Sequence, residues 1–119
     1  MSKVSFYPRT KVLLETAGYV VEKTEHWNSF SHHRVDLLGV ADMIALNGDK
    51  LLLVQITDHT NASSHHRKII QSEKLKLWLQ AGGQFVMYLW KKTGNRWTYK
   101  TKVYILAGNA IGVDKTKSV

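Results

Sequence analysis

The chain has 119 residues, 44% of them apolar, which is enough for one domain with a single buried core and no staples. It contains no cysteine, excluding disulfides and thiolate zinc sites, and no apolar run approaches the roughly 20 residues of a membrane span. Lys and Arg number 17 against 9 Asp and Glu, and the resulting net charge of +8 favours a polyanionic partner, of which nucleic acid is the usual one.

The first residues, MSKVSFYPRT, lack the apolar core of a signal peptide, so a cytoplasmic protein is expected, in a bacterial cell or in one infected by a phage. Pro8 suits the first turn of a helix. That helix is expected to bury Val12, Leu13 and Ala17 and to end at Gly18. Residues 19–27, YVVEKTEHW, mix β-branched and aromatic residues with charges, as in a strand with one wet face. Residues 28–34, NSFSHHR, read as a polar loop.

Residues 40–57 read as two strands joined by a tight turn. Asn47-Gly48 supplies the positive φ of a short hairpin. The first strand is apolar apart from Asp42, and the second is an aliphatic run that ends in Gln55 and Thr57. Side chains alternate along a strand, so Leu51, Leu53, Gln55 and Thr57 share one face, and Asp42, Gln55 and Thr57 can meet at one end of the hairpin. An unpaired buried carboxylate costs several kcal/mol, so Asp42 needs a basic partner, a proton or a metal ion.

A polar segment follows, with Asn61, Ser63 or Ser64 as the cap of a helix running to about Ala81. Its buried face would hold Ile69, Ile70, Leu75, Leu77, Trp78 and Leu79, and Gly82-Gly83 would stop it. Residues 84–91 and 97–106 read as a further hairpin around Thr93-Gly94-Asn95. Residues 107–119 are short and polar enough to form a flexible tail. The expected fold is a single α/β domain over 1–119, with one mixed sheet carrying a helix on each side and the strands before and after the second helix parallel. The doublets His32-His33 and His65-His66 point in divergent directions on a strand or helix, so neither supplies two zinc ligands.

With an acid entering the second strand and a polar pair at the end of the third, the chain resembles the PD-(D/E)XK nuclease superfamily. Asp42 matches the aspartate of that motif. Gln55-Ile56-Thr57 takes the Glu-x-Lys place, with twelve residues between Asp42 and Gln55. RVDLLGVADMIAL followed by LLLVQIT resembles small phage-type endonucleases related to Holliday junction resolvases, over roughly residues 11–90. The resemblance implies a restriction-endonuclease-like α-β-β-β-α-β core with an extra C-terminal strand, and a metal-dependent endonuclease that cuts DNA, branched DNA included. Ala41 replaces the motif's proline, Gln55 its acid and Thr57 its lysine.

The catalytic set so implied is Asp42, Gln55, Thr57, Glu15 and Lys68. Glu15 matches the glutamate that resolvases present from their first helix, and Lys68 stands for a migrated cation. Mg²⁺ or Mn²⁺ would take oxygens from Asp42, Gln55, the main chain of Ile56, and Glu15. Arg34, His65, Arg67 and Lys68 would hold phosphates. A symmetric junction has two strands to cut, so a homodimer is also implied. Two other functions fit the same features: a nuclease-fold protein without catalysis that binds nucleic acid as an accessory, and a structural phage protein whose basic surface meets another protein.

Overall fold

The computed structural model describes residues 6–24 and 26–117, and the side chains of all of these except His26, His33 and Arg34. Helix α1 (Tyr7–Thr16) starts with Pro8 in its first turn, and Gly18 follows its end at φ 97°. Its buried stripe is Thr10 and Leu14, four residues apart, with Phe6 just before the helix. Val12, expected inside, is exposed, as is Ala17, and Leu13 is half-buried. The reason is Trp90, whose Nε1–H donates to Thr10 Oγ1 at 3.0 Å, while its ring stacks on Phe6 with centroids 6.1 Å apart. That pairing turns the Thr10 side of the helix to the sheet.

The main sheet has six strands in the order β1 (Val20–Lys23), β4 (Met43–Leu46), β5 (Leu51–Asp58), β6 (Gln84–Thr93), β7 (Arg96–Ala107), β8 (Ala110–Asp114). All neighbours are antiparallel except β5 and β6, which run parallel, with Gln55 opposite Met87 and Thr57 opposite Leu89. A parallel pair needs a crossover. The segment between them supplies it as two helices, α2 (Ala62–Ile70) and α3 (Glu73–Gln80), in place of the single helix expected. The break falls at Ser72, whose backbone is extended and whose Oγ accepts from the N–H of Leu75 at 3.1 Å. A serine at this point does better as a cap than inside a helix. The break leaves Ile69 and Leu75 buried and turns Ile70 and Leu77 outward.

A separate two-stranded hairpin, β2 (His26–Asn28) and β3 (His33–Val35), is inserted between β1 and β4. It takes up Trp27, which the sequence reading placed in the first strand, and closes the expected loop into a turn. The C-terminal segment is not the expected tail: Ala110–Asp114 pairs along β7 and buries Ile111.

The two sheet faces carry separate cores. Leu14 and Phe6 pack with Val21, Met43, Leu52, Val54, Ile56 and Tyr88 on the α1 face. Ile69 and Leu75 pack with Val40, Leu53, Phe85, Met87 and Tyr104 on the other. Gly83 is obligatory here, because a Cβ would fall 2.2 Å from the Trp78 indole, whose Nε1–H donates to Gln84 O at 2.8 Å. The architecture is therefore mixed α/β, with a six-stranded mixed sheet flanked by helices; with the inserted β2–β3 hairpin set aside and α2 and α3 taken as one crossover, the order is α-β-β-β-α-β followed by two further strands. Among the described residues no helix is long and apolar enough to cross a membrane.

Candidate active site

The β4–β5 hairpin positions the site. Asn47 Oδ1 accepts from the N–H groups of Asp49 and Lys50 at 3.0 and 2.8 Å, and Gly48 takes φ 88°, so four residues reverse the chain. The resulting register sets Met43 opposite Val54. Asp42 therefore enters the sheet beside Gln55 and Ile56. Its N–H donates to Val54 O at 2.8 Å, and its carbonyl accepts from Thr24 N at 3.0 Å, so its backbone is fixed from both neighbouring strands.

The side chain is fixed as well. Asp42 Oδ2 accepts from Gln55 Nε2 and from the N–H of Ile56, both at 2.8 Å. Gln55 Nε2 also donates to Ile56 O at 3.1 Å. Asp42 and Gln55 are each only 1% exposed. An acid buried this deeply persists because donors are supplied to it. The amide nitrogen of Gln55 thus sits between two oxygens, a carboxylate and a main-chain carbonyl.

Thr57, 2% exposed, comes next on the same face. Its hydroxyl donates to Asp58 O at 3.1 Å and not to the Asp42 cluster. Asp58 fastens the turn into α2: its Oδ1 accepts from Thr60 Oγ1 at 2.7 Å, from Asn61 N at 2.9 Å and from Asn61 Nδ2 at 3.0 Å. Burial pushes its pKa up, but these hydrogen bonds outweigh burial and hold it below the ordinary carboxylate value.

The other candidate residues lie at different distances from this cluster. Lys68 is exposed on α2 and, with Lys74, Thr24, Asp36 and Leu38, lines a groove of about 680 Å³. Thr24 Oγ1 donates to Ala41 O at 3.2 Å, so the groove adjoins the segment that carries Asp42. Arg67 is exposed and His65 half-buried on the same helix. The Arg34 side chain lies outside the described residues. His66 turns to the core, its Nδ1 2.7 Å from the hydroxyl of Tyr104. That phenol titrates well above its ordinary range because it is buried.

Glu15 is not brought to Asp42. α1 starts beside Trp90, which pairs with Asp58, and ends where Tyr19 N donates to Leu14 O, just before Val20 pairs with Leu46. Glu15 therefore stands at the turn end of the β4–β5 hairpin. Four strand residues, about 13 Å, separate that end from Asp42. Among the described residues no group of three His, Asp or Glu side chains is arranged to hold a metal ion. The oxygens available beside Gln55 are one carboxylate, one amide and one main-chain carbonyl. These are donors of the kind a hard divalent cation takes, with a single formal charge among them.

Sequence reasoning missed the Gln55–Ile56 contact, in which a side chain bonds the carbonyl of the next residue. Strand alternation alone predicts nothing between residues on opposite faces. Of the exposed aromatics on the β2–β3 hairpin, Trp27 and Phe30, it gave no reason to single out Phe30. No protein-family model matches the chain, and neither does any curated protein. Among solved structures the chain is similar to a Holliday junction resolvase, Hjc, of the hyperthermophilic archaeon Archaeoglobus fulgidus. The identity is 12% and the TM-score 0.46, over 92% of this chain and 88% of the resolvase.

Proposed function

We propose that the chain is a divalent-cation-dependent endonuclease that hydrolyses phosphodiester bonds in DNA, branched DNA included. The observation that carries this reading is the convergence of Asp42 Oδ2, the Gln55 amide and the Ile56 main chain at the end of β5, on a strongly basic chain. Asp42, the carbonyl of Ile56 and the amide oxygen of Gln55 would hold Mg²⁺ or Mn²⁺. A bound cation of this kind offsets charge on the phosphoryl oxygens and makes a water more acidic. The chain's own part is positional. The paired backbone of Asp42 keeps the carboxylate in place, and the burial of Asp42, Gln55 and Thr57 keeps bulk water out. Lys68 and Arg67 offer positive charge to phosphates on the α2 side. Thr57 brings no cation where the motif has its lysine, and Glu15, at the turn end of the β4–β5 hairpin, adds no charge beside Asp42.

A second reading follows from Gln55 itself. An amide presents nitrogen to acceptors and oxygen to a cation. With Nε2 between Asp42 Oδ2 and Ile56 O, both acceptors are satisfied by the chain alone. A nuclease-fold protein that binds DNA without cutting it would have this arrangement.

The deciding experiment incubates the protein with supercoiled plasmid, linear duplex and a four-way junction, with Mg²⁺ or Mn²⁺, beside an Asp42→Asn variant. The endonuclease reading expects metal-dependent cleavage that the variant loses. Cleavage unchanged in Asp42→Asn would remove Asp42 from the chemistry. DNA retention without cleavage, equal in both proteins, would select the binding reading.

A further inference from the structure

The β2–β3 hairpin carries two aromatic side chains that the cores do not use. Trp27 is 59% exposed and Phe30, at the tip, 97%. Single exposed aromatics are common; two within four residues on one projecting arm are not explained by packing. The arm is also built. Asn28 Oδ1 accepts from the N–H groups of Phe30 and Ser31 at 2.9 and 3.2 Å, and Asn28 O accepts from His32 N at 2.9 Å. His32 closes the turn at φ 56°, a left-handed conformation uncommon outside glycine, and its ring meets that of Trp27 at 6.3 Å. Phe30 is therefore presented to solvent on a fixed tip. The hairpin leaves the sheet beside Thr24 and rejoins it through the segment leading to Asp42, next to the groove bordered by Lys68 and Lys74.

We propose that this hairpin is a base-stacking arm, on which Trp27 and Phe30 take unpaired nucleobases of the DNA whose backbone lies along the neighbouring lysines. Aromatic rings flanked by cations suit such a ligand, because every base has a π face and every nucleotide a charge. The occupant follows from charge: the arm adjoins the exposed Lys68 and Lys74 on a chain of net charge +8, which draws in a polyanion. The inference takes its ligand class from the DNA reading above and does not depend on cleavage. It narrows the substrate to DNA with unpaired bases, as at branches, bulges or ends.

The test is direct binding without divalent metal, using single-stranded oligonucleotide, a four-way junction and blunt duplex. The proteins are the wild type, Trp27→Leu and Phe30→Ser, matched for thermal midpoint, which exposed positions should leave unchanged. Tryptophan emission of the wild type should be quenched by the single strand, and Trp27→Leu should remove most of that quenching. Each substitution should weaken binding to single-stranded and junction DNA about tenfold, leaving blunt duplex within about twofold. Equal losses on all three DNAs, or no loss on any, would overturn the arm. So would a wild-type dimer in sedimentation that Phe30→Ser converts to monomer, since the arm would then meet a second copy. Intact quenching without cleavage in the plasmid assay removes the endonuclease and keeps the arm. Cleavage with unaltered binding in both variants does the reverse.

Discussion

Neighbouring residues of β5 lie in different surroundings. Leu52, Val54 and Ile56 face α1 in a layer to which β5 contributes apolar side chains only. Leu53, Gln55 and Thr57 face the α2–α3 side, where an apolar start gives way to a hydrogen-bonded end. The first face is held by volume and the second, at its far end, by pairing. Ile56 belongs to both: its side chain fills the α1 core, while its N–H and C=O border the Asp42 cluster. A packed layer tolerates exchange of one apolar group for another of similar size. A buried polar cluster does not tolerate loss of one member, because the partners remain buried and unpaired.

The largest effects should come from breaking either face at this strand. Ile56→Ala leaves a cavity on the α1 side and should lose about 2–5 kcal/mol in urea unfolding, with the cluster's main-chain groups intact. Asp42→Ala strips an acceptor from the Ile56 N–H and from the Gln55 amide and should lose about 2–4 kcal/mol. Asp42→Asn, which keeps an oxygen for one of them, should recover part of that. If Asp42→Ala unfolds at the wild-type midpoint, pairing does not hold this end of the sheet.

A pH series sharpens the contrast from the packed side. Burial, then the neighbouring Tyr99 and Tyr19, pushes Tyr88 from 10.0 up to about 12. Its phenol is neutral in both states below pH 10. Between pH 10 and 12 the unfolded chain gives up a proton that the folded chain keeps, so stability falls across that window, by on the order of 2 kcal/mol. Tyr104 shifts in the same direction. Urea midpoints from pH 8 to 12 should drop above pH 10, and Tyr88→Phe should flatten the drop. The smallest effect is expected where the α1 face carries its own polar pair. Trp90→Phe removes the donor to Thr10 but leaves the Thr10 hydroxyl bonded to Phe6 O, costing about 1 kcal/mol in thermal unfolding.

The same contrast explains what could be read in advance. The central hairpin was legible because Asn47-Gly48 marks its turn, and strand alternation puts Gln55 and Thr57 on a common side. The helix break was not, because Ser72 lies between two apolar stretches with no glycine or proline to announce it. β8 was missed because its five residues gain their place only by pairing with β7. The hairpin at 26–35 was hidden because Asn28, the residue that fastens its turn, reads equally well as loop. Glu15 was placed near Asp42 by resemblance; the direction in which α1 crosses the sheet is set by Thr10 and Trp90, 80 residues apart.

The central claim is that the acid, the amide and the carbonyl at the end of β5 form a place for a divalent cation. Calorimetric titration with Mn²⁺ in the absence of DNA tests it most directly, on the wild type, Asp42→Asn and Gln55→Glu. Weak saturable binding by the wild type, lost in Asp42→Asn and tightened about tenfold by the second carboxylate of Gln55→Glu, is the result expected. Three indistinguishable titrations would contradict it and leave Gln55 as a permanent fastener of a buried acid.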